Sequence, residues 1–280
     1  MMPEWLPLET LYDRDESGKG SLPLKLSGLY GGDLRFPQKE NGPWIIGNIV
    51  TTLDGVVSLG IPGRSGGDEI SGSNPRDRMV MGLLRSASDL VIVGAGTLRA
   101  TPLHQWTPGY IFPELAGDYH AYRKSLGKRN DPVTVIVTGS GDIDFQLPAF
   151  QSSDSPPVIL TTREGVKRLR SRSAPESIEI VAIRDSGKIK TAEILKAVSK
   201  IAPAGLILIE GGPHMMGDFL GEHFLNELFL TLSPQIAGRD GGPDRPGLAA
   251  GRLFAPDQPL WAGLQSAKRG GEHLFLRYRF

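Results

Sequence analysis

Leu206-Ile207-Leu208-Ile209-Glu210-Gly211-Gly212-Pro213-His214-Met215-Met216-Gly217-Asp218-Phe219-Leu220 is the stretch on which the fold turns. It reads as a buried strand, a glycine turn and the start of a helix. Four consecutive apolar residues fit a strand covered on both faces. Gly211-Gly212 lets the backbone approach a ligand closely, and Pro213 suits a first helical position. A helix beginning there aims its free N–H groups and its positive dipole end at an anion. An isolated Gly-Gly-Pro also fits a plain strand-to-helix turn. Glu210 shifts the reading, because a carboxylate ending an apolar strand beside such a turn faces a site more often than a core.

Outward from this run, further apolar segments read as strands: 44–50, 90–93, 133–137, 158–161, 178–182 and 227–232. Helical patterns lie between them. Asn74 and Pro75 form a cap and a first-position proline before Met79, Leu83 and Leu84, and Thr191 is the expected cap of a helix carrying Ile194, Leu195 and Val198. Alternating strands and helices predict an α/β fold with a mostly parallel sheet. The alternation from Leu274 to Phe280 predicts an antiparallel C-terminal strand. Residues 1–43, rich in glycine, proline and charge, read as an N-terminal extension packed through Leu22, Leu24, Leu26 and Leu29, and 44–280 as one domain.

Composition narrows the function. The 280 residues include 31 Lys+Arg against 31 Asp+Glu, a formal net charge of zero, so the chain lacks the basic footprint of a nucleic-acid or anionic-membrane binder. With no cysteine, thiolate catalysis, disulfides and Cys-ligated zinc are excluded. The five histidines show no metal-ligand spacing, so no metal is expected. No stretch reads as a signal peptide or a membrane span, and the expected location is the cytoplasm.

Two other strand ends carry small residues. Leu90-Val91-Ile92-Val93-Gly94-Ala95-Gly96-Thr97-Leu98-Arg99 repeats the logic of the first run, although the position three after Gly96 is Arg99, so the dinucleotide fingerprint is incomplete. Asn48-Ile49-Val50-Thr51-Thr52-Leu53-Asp54-Gly55 ends in a turn and leads into the glycine-rich loop from Gly60 through Pro62, Arg64 and Ser65 to Gly72. Loops of this length inside a domain serve as lids or binding loops. Ligands of open α/β sheets gather at the carboxyl ends of the strands, so a dinucleotide spanning two such turns is expected.

Thr52-Leu53-Asp54-Gly55, the segment Arg64 to Ser71, Leu83-Leu84-Arg85, Val91 to Thr97 and Glu210-Gly211-Gly212 through Gly217 resemble, in order and spacing, the reductase domain of bacterial riboflavin biosynthesis. This is the RibD C-terminal family, here in a stand-alone form without the deaminase domain. The resemblance covers about residues 44 to 240 and is strengthened by Asn226 to Gly238. It implies a dihydrofolate reductase-like three-layer fold. It also implies NADPH-dependent reduction of 5-amino-6-(5-phosphoribosylamino)uracil or its diamino-pyrimidinone relative, with hydride delivered to C1′ of the ribose imine.

The resemblance assigns Gly211, Gly212, Pro213, His214, Met215, Met216 and Gly217 to the cofactor, with Gly94, Gly96, Thr97 and Val50 against the same molecule. Ser140 and Arg163 are candidates for its adenosine half. Glu210 is implied as the substrate-side carboxylate, with Asp54 as a second catalytic candidate whose alternative is an ordinary turn role. Arg85 is implied at the substrate phosphate; its alternative is a helix-end cation favoured by the dipole. Arg64, Ser65 and Arg99 complete the expected substrate contacts.

One departure stands out. Family members continue after this threonine with Ala-Asp-Asp-Pro and a downstream arginine, whereas here the chain runs Leu98-Arg99-Ala100-Thr101-Pro102-Leu103-His104-Gln105-Trp106. Arg64, Arg99, His104 and Arg123 are the residues that would compensate. Two alternatives to the riboflavin reaction therefore stand: an NADPH oxidoreductase of a different pterin-like or small substrate, and a non-catalytic nucleotide-binding homologue. A homodimer is expected, pairing through the 228–232 strand or the terminal strand.

Overall fold

The apolar runs assemble into one ten-stranded sheet. The computed structural model describes residues 7–14, 22–37, 39–40, 42–61, 63–128, 131–151, 156–202, 205–242 and 244–280; Pro62 of the glycine-rich loop lies outside the described residues. The strands are β1 (Glu9–Asp13), β2 (Trp44–Thr51), β3 (Leu90–Gly94), β4 (Val133–Thr138), β5 (Val158–Thr162), β6 (Ile180–Arg184), β7 (Leu206–Ile209), β8 (Glu227–Leu232), β9 (Gly263–Gly270) and β10 (His273–Arg279). The α-helices are α1 (Leu24–Tyr30), α2 (Gly67–Ser71), α3 (Pro75–Ala87), α4 (Ala95–Ala100), α5 (Pro108–Ile111), α6 (Ala116–Ser125), α7 (Arg163–Ser171), α8 (Thr191–Ile201) and α9 (Pro213–Gly221).

The strand order is β1-β9-β10-β8-β2-β7-β3-β4-β5-β6. From β8 through β6 every neighbour is parallel, and β8, β10, β9 and β1 pair antiparallel. This is the mostly parallel sheet with an antiparallel C-terminal strand that the sequence predicts. β7 enters last among the central strands, between β2 and β3, and α9 then carries the chain across β2 to β8. The carboxyl ends of β2, β7, β3 and β4 consequently lie along one edge, at the place where the strand order reverses.

Alternation along the strands builds two cores. Leu206 and Leu208 of β7 join Met79, Leu83 and Leu84 of α3 in one cluster, whereas Ile207 and Ile209 join Ile194 of α8 and Met216 and Phe219 of α9 in the other. Helices cover both faces, which is why β7 is apolar at every position. The Asn74 side chain caps α3, accepting from the Arg76 backbone N–H at 2.8 Å.

Four sequence expectations are corrected. Thr191 does not cap α8: Lys190 holds the cap position, and the Glu193 carboxylate accepts its backbone N–H at 2.9 Å. The sixth strand begins at Ile180, two residues later than the apolar run. Leu24, placed among the packed leucines of the extension, is 93 % exposed. Finally, β8 and β10 each have a partner on both sides, so neither is free to pair across a two-fold axis; the open edges are β1 and β6.

Residues 9–13 of the N-terminal extension add a strand to the sheet, and Leu22, Leu26 and Leu29 are buried. Leu26→Ala is expected to destabilise the protein by about 2–5 kcal/mol and Leu24→Ala by less than about 0.5 kcal/mol in urea denaturation.

Candidate functional site

A cavity of about 1000 Å³ opens at the carboxyl edge of β2, β7, β3 and β4. Its floor is set by a buried ion pair. Arg85, near the end of α3, is completely buried, and Glu210, just past β7, is 8 % exposed. The Glu210 Oε2 atom accepts from Arg85 Nε at 2.9 Å and forms an ion pair with Nη2 at 2.8 Å. Arg85 Nη1 donates to the carbonyls of Gln105 and Thr107, at 3.1 and 3.3 Å, and Nη2 lies 2.7 Å from His104 Nε2. All three guanidinium nitrogens thus have partners inside the protein. Arg85 lines the cavity and, through these contacts, orients Glu210 and the 104–107 segment. Glu210 Oε1 keeps only a long 3.5 Å contact from Asn48 Nδ2 and remains able to accept from a ligand.

The two glycine turns converge as expected. Gly212 is the cap residue of α9, with no side-chain cap, so the first N–H groups of that helix are left for a ligand. A Cβ on Gly212 would stand 3.4 Å from Thr97 Oγ1, and one on Gly94 would stand 3.6 Å from Met215 Cε. A Cβ on Gly211 would collide with the Met215 side chain, so that position needs glycine. Pro213, His214 and Met215 line this wall with Gly94, Gly96 and Thr97; Val50 and Ser140 line it farther out along the strand ends. Ser65 and Arg99 also reach the cavity.

Five expected site residues do not line it. Met216 is fully buried on the other side of α9 and packs against Gly47, and Gly217 lies against Ala249 and Ala250. The Arg163 side chain is 77 % exposed and pairs with Asp185 at 2.8 Å, and Arg64 is exposed in its loop. Asp54 is a structural staple: its Oδ1 accepts from the Thr52 hydroxyl at 2.6 Å and the Ala237 N–H at 3.0 Å, and its Oδ2 from the Gly238 N–H at 2.8 Å. Those hydrogen bonds, Thr52 first, hold its pKa down to about 2. Arg123, a candidate to compensate for the departed family segment, instead closes the end of α3 by donating to the carbonyls of Arg85, Ser86 and Ser88.

Asp77, Thr191 and Lys188 line the cavity without having been assigned to it from the sequence, and His104, expected as a compensating side chain, lines it as well. Asp77, in the first turn of α3, is 5 % exposed; burial raises its pKa to about 6, against a weaker opposing hydrogen bond from Thr231. Its signal was available, since Asp77 precedes Val80 and Leu84 at helical spacing and so falls on the inward face. Thr191 has a buried hydroxyl without a partner and lines the cavity beside Lys188, whose ammonium pairs with Asp218 at 2.7 Å. His104 packs against Trp106 and edge-on to Tyr110, with centroids 5.1 and 5.4 Å away. Burial, aided by the charge of Arg85, lowers the His104 pKa to about 3 and keeps the ring neutral.

Arg85→Met is expected to leave Glu210 buried without its partner and to cost about 3–5 kcal/mol in denaturant unfolding. For Asp77, the folded state holds its proton more tightly than the unfolded chain between pH 3.8 and about 6. Wild-type stability should therefore fall as pH rises through that window and stay lowered above it. Asp77→Asn is expected to remove this slope, becoming the more stable protein by up to about 3 kcal/mol above pH 6 and matching wild type near pH 4.

Comparison with known proteins agrees with this architecture. The profile of the RibD C-terminal domain matches residues 43–251. The riboflavin biosynthesis protein RibD of Chlamydia muridarum is 23 % identical over 209 residues, which cover 74 % of this chain and 50 % of that protein. The RibD protein of Aquifex aeolicus is 19 % identical over 166 residues, covering 59 % and 40 %. The chain thus spans about half the length of the curated relatives it matches. Among solved structures, a pyrimidine reductase-like protein from Corynebacterium diphtheriae shares the fold with a TM-score of 0.65 at 20 % identity, over 85 % of this chain and 91 % of that one. A deaminase/reductase from Thermotoga maritima does so with a TM-score of 0.60 at 18 % identity, over 85 % and 56 %. With three quarters of its length matched by the family profile and its sheet shared with those structures, this chain belongs to the RibD C-terminal domain family.

Proposed function

We propose that the chain is an NADPH-dependent reductase of a small nitrogen heterocycle. The observation that carries this reading is the meeting of two glycine turns, Gly94 to Thr97 and Gly211-Gly212, on one wall of a cavity whose floor carries Glu210. The cradle fits a dinucleotide: the open start of α9 suits the pyrophosphate, and the absent side chains of Gly94, Gly96 and Gly212 leave room for it. Val50 and Met215 would flank the nicotinamide, and Ser140 with the unpartnered Thr191 hydroxyl would serve the adenosine half. When bound, the cofactor supplies a hydride. The chain's own task is to orient the acceptor and exclude water, with Glu210 Oε1 accepting a hydrogen bond from the substrate.

The Thermotoga relative is described as a 5-amino-6-(5-phosphoribosylamino)uracil reductase, and that compound is the first substrate to assay. A second reading, reduction of a different pterin-like compound, is favoured by one observation: the completely buried Arg85 turns its guanidinium to Glu210, His104 and two backbone carbonyls.

The test has two parts. NADPH binding, followed by quenching of protein fluorescence, is expected to weaken by about tenfold or more in Gly212→Asp, which puts a carboxylate where the pyrophosphate belongs. Unchanged affinity in the folded variant would refute the cofactor placement. Loss of nicotinamide absorbance with freshly generated 5-amino-6-(5-phosphoribosylamino)uracil, with NADH in parallel, then separates the readings. Turnover assigns the riboflavin-pathway reaction; NADPH binding without turnover assigns the second reading, and failure with every pyrimidine and pteridine leaves a nucleotide-binding homologue.

A further inference from the structure

Resting on the reductase reading, we infer that Arg99 sets the choice of cofactor. Its guanidinium, together with the Ser140 hydroxyl, takes the 2′-phosphate of the adenosine ribose, so the site accepts NADPH and discriminates against NADH.

The argument begins with the cations that the cavity offers. Among the described residues, the lysines and arginines lining it are Arg85, Arg99 and Lys188. Arg85 is completely buried, with its guanidinium held by Glu210, His104 and two carbonyls. The Lys188 ammonium is tied to Asp218 at 2.7 Å. Arg99 differs from both. It is exposed in the last turn of α4, and its Nη1 donates to the Asp142 backbone carbonyl at 3.3 Å. A carbonyl does not neutralise it, and the Asp142 carboxylate is itself taken by Arg172 at 2.6 Å. The Arg99 charge and most of its N–H groups therefore stay open to an anion. Arg99 also falls in the stretch after Thr97 where this chain departs from the family's pattern, so the feature is this chain's own.

Position decides which anion. The strand ends run in the order β2, β7, β3, β4, with neighbours about 4.8 Å apart. A dinucleotide with its nicotinamide by Val50 and its pyrophosphate between Gly212 and the Gly94 to Thr97 turn carries its adenosine ribose past β3 toward β4. Arg99 bridges that interval, rooted in the helix after β3 and bonded to the loop after β4. The 2′-phosphate is the anion that NADPH places on this ribose and NADH lacks. The loop itself is firmly set. The Gly139 carbonyl accepts from the Thr162 hydroxyl at 2.9 Å, the Thr138 hydroxyl oxygen accepts from the Gly141 N–H at 3.1 Å, and Gly141, with φ +66°, lies so close to the Gly165 backbone that a Cβ there would collide. Ser140 Oγ accepts from the Asp142 N–H at 3.2 Å, which leaves its own O–H free to donate. A guanidinium fork beside a fixed hydroxyl is a pre-organised donor set for phosphate oxygens. Arg163, the cation that the sequence suggested for this half of the cofactor, points to solvent and pairs with Asp185 instead.

Calorimetric titration of NADPH and NADH into wild-type protein, Arg99→Ala and Arg163→Ala tests this without turnover. Wild type is expected to bind NADPH at least about tenfold more tightly than NADH. Arg99→Ala is expected to lose about tenfold or more in NADPH affinity while its NADH affinity stays within about twofold, and Arg163→Ala to leave both unchanged. Because Arg99 is exposed, an unchanged urea midpoint is expected for its variant. Adenosine 2′,5′-bisphosphate against adenosine 5′-monophosphate repeats the comparison in wild type with no variant and no nicotinamide; the bisphosphate is expected to bind about tenfold more tightly. Equal affinity of wild type for the two dinucleotides or for the two adenosine phosphates overturns the inference. So does an equal loss of NADPH and NADH in Arg99→Ala, which would put the guanidinium on the pyrophosphate. A preference that survives in Arg99→Ala, or that disappears in Arg163→Ala, overturns it as well. Each of these results leaves the reductase reading standing, whereas failure of both dinucleotides to bind removes that reading and this inference together.

Discussion

The buried contact between Arg85 and Glu210 is the constraint on which the rest of the site depends. It joins the end of a helix on one face of the sheet to the last turn of the central strand. An arginine and a glutamate taken out of water are tolerable only when their remaining donors and acceptors are satisfied. Here the guanidinium recruits the backbone of Gln105 and Thr107 and the ring of His104 to meet that requirement. One electrostatic demand therefore folds the segment after α4 back over the cavity and sets its aromatic wall. It also leaves one oxygen of Glu210 pointing at no strong partner, the state in which a carboxylate can receive a ligand.

Residues 99–104 and Trp106 line the cavity beside this pair and bring Arg99 to it, whereas Arg123 is spent on the carbonyls at the end of α3. The wall of glycine turns, where the proposed cofactor would lie, rests on different physics. It depends on backbone approach and helix N–H groups, which need small residues and not charge, so it can be retained while the opposite end of the cavity changes its chemistry.

The strands and most helix starts were legible because they rest on local signals. Buried parallel strands are continuous apolar runs, and Asn74-Pro75 and Gly212-Pro213 are cap patterns whose effect ends within a turn. The N-terminal strand was not legible: Glu9 to Asp13 is exposed along its whole length and owes its conformation to pairing with β9, some 250 residues away in sequence. Thr191 misled because a threonine before an apolar stripe resembles a cap, while the bond actually made is donated by the Lys190 backbone N–H to the Glu193 carboxylate. Within the site, the glycine turns were readable, since glycine before a helix has a meaning of its own. Asp54, Arg163, Met216 and Gly217 were not, because which face of a turn or helix meets the cavity depends on what packs behind it.

Sequence by itself determined the class of fold, the family and the two glycine turns that meet on the cavity wall, because hydrophobic period, capping and backbone freedom are properties of short stretches. Only the tertiary structure decided which charges are free. Arg85 read as a phosphate ligand or as a helix-end cation; it does stand in the last turn of α3, but buried, with its guanidinium held by Glu210, His104 and two carbonyls drawn from other parts of the chain. Asp77 was not assigned to the site from the sequence, and its burial in the fold raises its pKa to about 6. Charge state and hydrogen-bond supply are properties of an enclosure, and an enclosure exists only once the chain has closed it.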